Sequence, residues 1–191
     1  MKRIVVIGVG ALGSHVILMG RNLKAQWVAI DFDRTEQKNI LSQFHTRMGI
    51  GKNKAEALKV AMIGMFGTKL DVVPHRLTKD NVQALLGKAD LVVDCLDNGD
   101  SRRIVQAFVR EKGIPCLHGA LAADGALGRI VWDEFFAVDD EGSAGAATCE
   151  DGVFLPFIGI VAPYLTFSIQ QFVEKGRRLG FQVWPGGVTA L

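Results

Sequence analysis

The chain has 191 residues, 49% hydrophobic and 22% charged, and 22 basic against 20 acidic side chains leave a formal net charge of +2. That length suits one compact domain, and the composition excludes a disordered, charge-rich chain. The small net charge gives no footing for DNA binding, and three scattered cysteines without a C-x-x-C pair exclude a disulfide framework and a four-cysteine zinc site within one chain.

Residues 3–7 (RIVVI) read as a buried parallel strand and not as a signal peptide, because glycines break the apolar run that follows the basic start. The turn Gly8-Val9-Gly10-Ala11-Leu12-Gly13 comes next, then an apolar helix predicted over 14–23 and a second strand over 27–31 (WVAID). Residues 32–51 form a long irregular stretch, and such loops inside compact domains usually carry function. A helix is predicted over 53–65, a strand over 70–73, and a short helix over 78–86 capped by Thr78. The strand 91–94 (LVVD) runs into Cys95-Leu96-Asp97-Asn98, followed by a helix over 101–112 and a strand over 114–117. Residues 127–132 are expected to add an antiparallel strand, and 138–152, rich in Gly, Ala and acid, a mobile loop. Residues 152–173 carry no charge and are long enough to cross a bilayer. Pro156 and Pro163 interrupt them and Gln170 and Gln171 sit near their end, so a core helix is predicted and no membrane span. That helix closes near Lys175-Gly176-Arg177-Arg178, with one more short strand over 181–184. The alternation is the α/β signature. The expected fold is Rossmann-like and doubly wound, a mostly parallel sheet with helices on both faces and an antiparallel edge, in one domain over 1–191.

The Gly8-x-Gly10-x-x-Gly13 run lies between a strand and a helix, where backbone N–H groups and the helix dipole favour a phosphate. Asp31 closes the next strand 18 positions after Gly13, the place of an acid that accepts ribose hydroxyls. These two features alone also fit a nicotinamide-dependent oxidoreductase. Asn39, Lys54 and the pair Asp97-Asn98 fall at strand ends or in adjoining loops, and they favour ATP: a lysine neutralises phosphate charge and a carboxylate holds magnesium.

With these motifs in place, the chain resembles the ThiF/MoeB-type, ubiquitin-activating-enzyme-like adenylyltransferases. The resemblance rests on GVGALGS at 8–14, IDFD at 30–33, EQKNILSQF at 36–44, GIGKNKAEAL at 49–58, ADLVVDCLDN at 89–98 with Arg102, and CEDGVFLPFIGIV at 149–161. It implies an enzyme that uses ATP to adenylate the C-terminal carboxylate of a small ubiquitin-like or sulfur-carrier protein. It further implies that Gly8, Gly10, Ala11 and Gly13 cradle ATP and that Asp31 binds the ribose. Asn39 and Lys54 would meet the phosphates, and Asp97 would hold Mg2+ with Asn98 beside it. Cys149 stands where relatives carry a loop cysteine that takes the acyl group or a persulfide. A covalent role and a bystander thiol both stay open there, since Glu150 and Asp151 would raise its pKa.

Several positions depart from the family pattern. Ser42 replaces the arginine of N-L-x-R-Q, and Arg47, five residues on, is a candidate substitute. Zinc-binding cysteine pairs are missing, so no zinc is expected. The first strand begins at once, so the N-terminal arm that relatives extend to a partner subunit is expected to be missing too, and the segment between Val131 and Cys149 is short. A non-catalytic ATP-binding or partner-docking module is therefore the alternative. The remaining expectations are a cytoplasmic homodimer built on the charge-free helix, packing roles for Cys95 and Cys116, and structural or surface roles for His15, His45, His75 and His118. Arg102 fits either the family motif or a salt bridge at a helix end.

Overall fold

In a computed structural model, which describes residues 1–138 and 152–191, the chain alternates strands and helices as its hydrophobic pattern requires. The first half runs β1 (Lys2–Ile7), α1 (Ala11–Gly20), β2 (Ala25–Ile30), α2 (Lys54–Phe66), β3 (Asp71–Val73) and α3 (Val82–Leu86). The second half runs β4 (Leu91–Asp94), α4 (Gly99–Lys112), β5 (Cys116–Leu121), β6 (Gly128–Trp132), α5 (Leu155–Lys175), β7 (Phe181–Trp184) and β8 (Gly187–Ala190). The expected loop of residues 138–152, including Cys149, falls almost wholly outside the described residues.

All eight strands join one sheet in the order β3-β2-β1-β4-β5-β6-β7-β8. The strands from β3 to β5 pair in parallel, and β6, β7 and β8 add an antiparallel edge. This is the expected fold. Alternation along β1 sends Ile4 and Val6 to one apolar cluster with α1, α2 and α5, and Val5 and Ile7 to another with α3 and α4. The chain leaves β1 outward to β2 and β3 and then returns to place β4 on the other side of β1. That reversal makes the C-terminal ends of β1 and β4 the switch point of the sheet, the usual ligand position in such folds.

Several boundaries differ from expectation. Helix α1 begins directly after the N-cap Gly10 and stops at Gly20, because residues 21–24 make the turn into β2 (Leu23 N–H to Gly20 O, 2.9 Å). Strand β5 starts at Cys116 and not at 114. Gly113 ends α4 with φ 64°, and the Ile114 N–H is spent on the Val109 carbonyl. Thr78 does not cap α3. Asn81 precedes that helix, its Oδ1 accepts from the Thr78 N–H, and Thr78 supplies its carbonyl to Val82. Strand β8 was not anticipated, although Pro185-Gly186 after Trp184 is a two-residue hairpin signal. Residues 32–51 hold two single 3₁₀ turns, Gln37–Leu41 and Arg47–Gly49. Helix α5 is long and apolar enough to cross a membrane by length and composition, and here it is the core helix packed on α1, β6 and β7.

Candidate functional site

The glycine turn is shaped by two close approaches. Gly8 has φ 82°, and a Cβ there would stand 2.8 Å from the Cys95 carbonyl oxygen. A Cβ at Gly13 would collide with the Gly8 carbonyl, so α1 can settle onto the end of β1 only with glycine at that position. Gly8, Gly10 and Ala11 remain partly exposed.

Asp31 follows β2 and turns back toward this loop. Its Oδ2 accepts from the Val9 N–H at 2.8 Å and its Oδ1 from the Asp33 N–H at 2.9 Å. Burial pushes its carboxyl above the usual range, while those backbone donors and Lys54 work against the shift. Lys54 opens α2, where its Nζ lies 3.2 Å from Asp33 Oδ2. Asn53 caps that helix, accepting from Ala55 and Glu56, and its Nδ2 donates to the carbonyls of Asp31 and Asp33. Glycine turn, Asp31, Asp33 and Lys54 thus form one hydrogen-bonded unit.

The other expected residues lie around it. Asn39 is buried, and its Oδ1 accepts from the Glu36 N–H at 2.8 Å in a reciprocal capping box, so its side chain shapes the loop. Asp97 is exposed in the turn after β4, and among the described residues no hydrogen bond or ion pair joins it to Lys54. Asn98 caps α4, accepting from the Ser101 N–H at 2.9 Å. Arg47 is exposed, whereas Ser42 is buried and its carbonyl meets His15 Nε2 at 3.1 Å. Cys149 is outside the described residues. Cys116 is buried and Cys95 half-buried, and burial pushes both thiols above the ordinary range.

Of the support behind the Asp97 turn, sequence reasoning offered Arg102, as a family position or a salt bridge at a helix end, and missed its partner Asp94 and the His118–Asp133 pair. Arg102 donates to Asp94 at 3.3 Å, to the Gly119 carbonyl at 3.0 Å and to the Leu96 carbonyl. His118 lies between two carboxylates, with Nδ1 2.7 Å from Asp94 and Nε2 3.0 Å from Asp133, and Phe136 stacks on its ring. Burial alone would raise the Asp94 carboxyl, but Arg102 and His118 outweigh it and hold it below the usual range. Asp94 read as the polar end of an apolar strand, and nothing in its spacing announced partners so distant in sequence.

The glycine turn, Asp31 and the lysine that opens α2 lie together at the C-terminal ends of β1 and β2. The ThiF family profile matches residues 1–178. The chain belongs to the ThiF family. Among curated relatives, the SAMP-activating enzyme E1 of Haloferax volcanii is 32% identical over 123 residues, covering 63% of this chain and 46% of that one. The molybdopterin-synthase adenylyltransferase of Salmonella typhimurium is 27% identical over 170 residues, covering 83% and 68%. A crystal structure of E. coli MccB with ATP superimposes with a TM-score of 0.79 at 15% identity, covering 100% of this chain and 62% of that one, and so shares the ThiF-like fold. The chain spans 46% of the archaeal relative and 38% of an adenylyltransferase and sulfurtransferase UBA4 from Lodderomyces elongisporus, well short of their full lengths.

Magnesium fits this ThiF-family site on its donor set. Mg2+ prefers one or two carboxylates together with substrate phosphates to an all-protein cage. Asp97 offers one exposed carboxylate, and among the described residues no group of three His, Cys, Asp or Glu is placed to hold a metal ion by itself.

Proposed function

We propose that this protein uses ATP to adenylate a carboxylate, the C-terminus of a small ubiquitin-like or sulfur-carrier protein. The observation that carries the proposal is the bonded unit of glycine turn, Asp31, Asp33 and Lys54 at the ends of β1 and β2. Relatives named for SAMP activation, for molybdopterin synthase and for a sulfur carrier protein support the substrate class.

In the proposed reaction a carboxylate oxygen attacks the α-phosphorus of ATP. The new bond is a mixed anhydride with AMP, the α–β phosphoanhydride breaks, and pyrophosphate leaves. No protein nucleophile is required for this step. The protein's task is to bring two anions together and offset their repulsion. N–H groups of Gly10 and Ala11 at the start of α1 would meet phosphate oxygens, and Asp31 would accept from ribose hydroxyls. Lys54, poised on Asp33, would move its ammonium onto the phosphates. Asp97, with Asn98 keeping its turn in place, would hold Mg2+, which neutralises charge on the leaving group. Arg47, five residues on in the same loop, is the candidate for the cation that Ser42 does not supply.

The buried Ser42 is also what favours the second reading, a nucleotide-binding docking module without catalysis. ATP–pyrophosphate exchange with sulfur-carrier proteins ending in Gly-Gly separates the two. Exchange supports the enzyme, whereas nucleotide binding without exchange for any carrier tested supports the module. The proposal extends to a cytoplasmic homodimer. Pro156, Gly159, Ile160, Pro163 and Phe167 form an exposed, uncharged stripe along α5, a face suited to a symmetric contact. Sedimentation velocity giving only monomer at micromolar concentrations would contradict that part.

A further inference from the structure

Val9 is fully buried in the middle of the glycine turn, and its two backbone polar groups are held from opposite sides. Its N–H donates to Asp31 Oδ2 at 2.8 Å, and its carbonyl oxygen lies 2.8 Å from His45 Nε2. A carbonyl only accepts, so Nε2 carries the hydrogen and the ring is the Nε2–H tautomer. His45 is 7% exposed. Burial pushes its pKa down to about 4; the bond to Val9 opposes the shift, and the positive charge of Lys54 and the neighbouring His15 add to it.

The segment bearing His45 is fastened to the same turn by further bonds. The Phe44 N–H donates to Ser14 Oγ at 2.9 Å, Ser14 Oγ donates to the Gly10 carbonyl at 2.6 Å, and His15 meets the Ser42 carbonyl. The consequence comes from peptide planarity. The Val9 carbonyl and the Gly10 N–H belong to one trans peptide unit and point in opposite directions. A carbonyl drawn inward to a buried imidazole aims the Gly10 N–H outward, to the partly exposed side where a phosphate would sit. Gly10 on one side of this peptide plane has no Cβ to resist a change in its φ, so the hydrogen bond from His45 adds to what holds the plane.

We infer that His45 is a positioning residue for the nucleotide site, its Nε2–H fixing the Val9–Gly10 peptide so that the Gly10 N–H is already directed at phosphate. This rests on the nucleotide-site reading above. It assigns His45 a role that neither a packing residue nor a proton-transfer group would have, since the ring touches no reacting atom.

The test pairs His45→Leu, which removes the donor at similar size, with His45→Gln, which can restore it. Mg-ATP affinity is measured by isothermal titration calorimetry, melting temperature without nucleotide is followed in parallel, and the ring is observed by 15N NMR. The Leu variant is expected to bind about tenfold or more weakly, because it leaves a buried carbonyl unpaired and free to turn, and the Gln variant to recover most of that loss. NMR should find Nε2 protonated and Nδ1 unprotonated from pH 8 down to 5, with or without ATP. Unchanged affinity in the folded Leu variant, or a lowered melting temperature with normal affinity, would reduce His45 to a packing residue. An Nδ1–H tautomer at neutral pH, which leaves Nε2 without a hydrogen to donate, would overturn the clamp itself. Failure of the unsubstituted protein to bind Mg-ATP would overturn the nucleotide reading, and with it the positioning role, while the NMR result would still decide whether the clamp exists.

Discussion

Asp31 and Asp97 are both aspartates at the end of a strand or just beyond it, yet the fold treats them oppositely. Asp31 is buried with both oxygens on backbone N–H groups, and Asp97 stands exposed in its turn. Their substitutions should therefore differ. Asp97→Ala and Lys54→Ala are each expected to lower ATP–pyrophosphate exchange about 100-fold or more, with melting temperatures near that of the unsubstituted protein; normal exchange in either would remove that residue from the site. A second residue-scale prediction concerns acid stability. With its folded pKa down to about 4 from an unfolded value near 6.5, His45 binds fewer protons folded than unfolded across that window. Stability should rise with pH between those values and fall as pH drops through them, by on the order of 3 kcal/mol for this group. Urea unfolding of His45→Gln at pH 4.5 and 7 should show a markedly smaller pH difference, and an equal difference would contradict the assignment. The placement of the glycines, Asp31 and Lys54 at strand and helix ends was legible in the sequence because it depends on neighbours along the chain and on a familiar spacing. His45, Asp94 and Asp133 were not, because their partners come from distant segments.

Elements meet the site through glycines and through one arginine. Gly13→Ala would drive a methyl into the Gly8 carbonyl and against Val6, forcing α1 off β1. It is expected to cost about 1–3 kcal/mol and to weaken nucleotide binding. Gly10→Ala meets nothing closer than the Gln43 side chain at 3.8 Å, so its cost is confined to the unusual backbone there (φ −79°, ψ −135°) and should be smaller than that of Gly13→Ala, while the methyl crowds the phosphate. Thermal denaturation of both variants checks the contrast, and equal stability would refute the packing account. Arg102 ties β4, the Asp97 turn and β5 together. Arg102→Met leaves the Asp94 charge buried beside His118 and should cost about 3–5 kcal/mol, measurable by denaturant unfolding; a loss under 1 kcal/mol would mean the network reorganises freely. At this scale the sequence patterns located most strands and helices, because apolar periodicity is local. The start of β5 and the cap of α3 were misjudged because helix ends compete for the same backbone donors, and β8 was overlooked although its hairpin turn is written in Pro185-Gly186.

At the scale of the molecule, one eight-stranded sheet carries the site at its parallel half and an antiparallel extension from β6 to β8. The row Asp94–His118–Asp133 joins the two halves, and Arg110 and Gln106 of α4 fasten Asp133 and the Phe136 carbonyl at its far end. The turn after β4 that bears Asp97 is therefore bonded to the antiparallel edge through Arg102, Asp94 and His118. Fold class and family could be read from the chain because glycine turn, acid and lysine recur in one order. The acceptor of the adenylate could not, because no local pattern encodes the surface that receives it. The central claim is carboxylate activation by Mg-ATP. ATP–pyrophosphate exchange, with sulfur-carrier proteins ending in Gly-Gly and with Lys54→Ala as control, tests it most directly. Carrier-dependent exchange that Lys54→Ala loses is the expected result. No exchange with any carrier, together with a melting temperature raised by NAD and not by Mg-ATP, would contradict it.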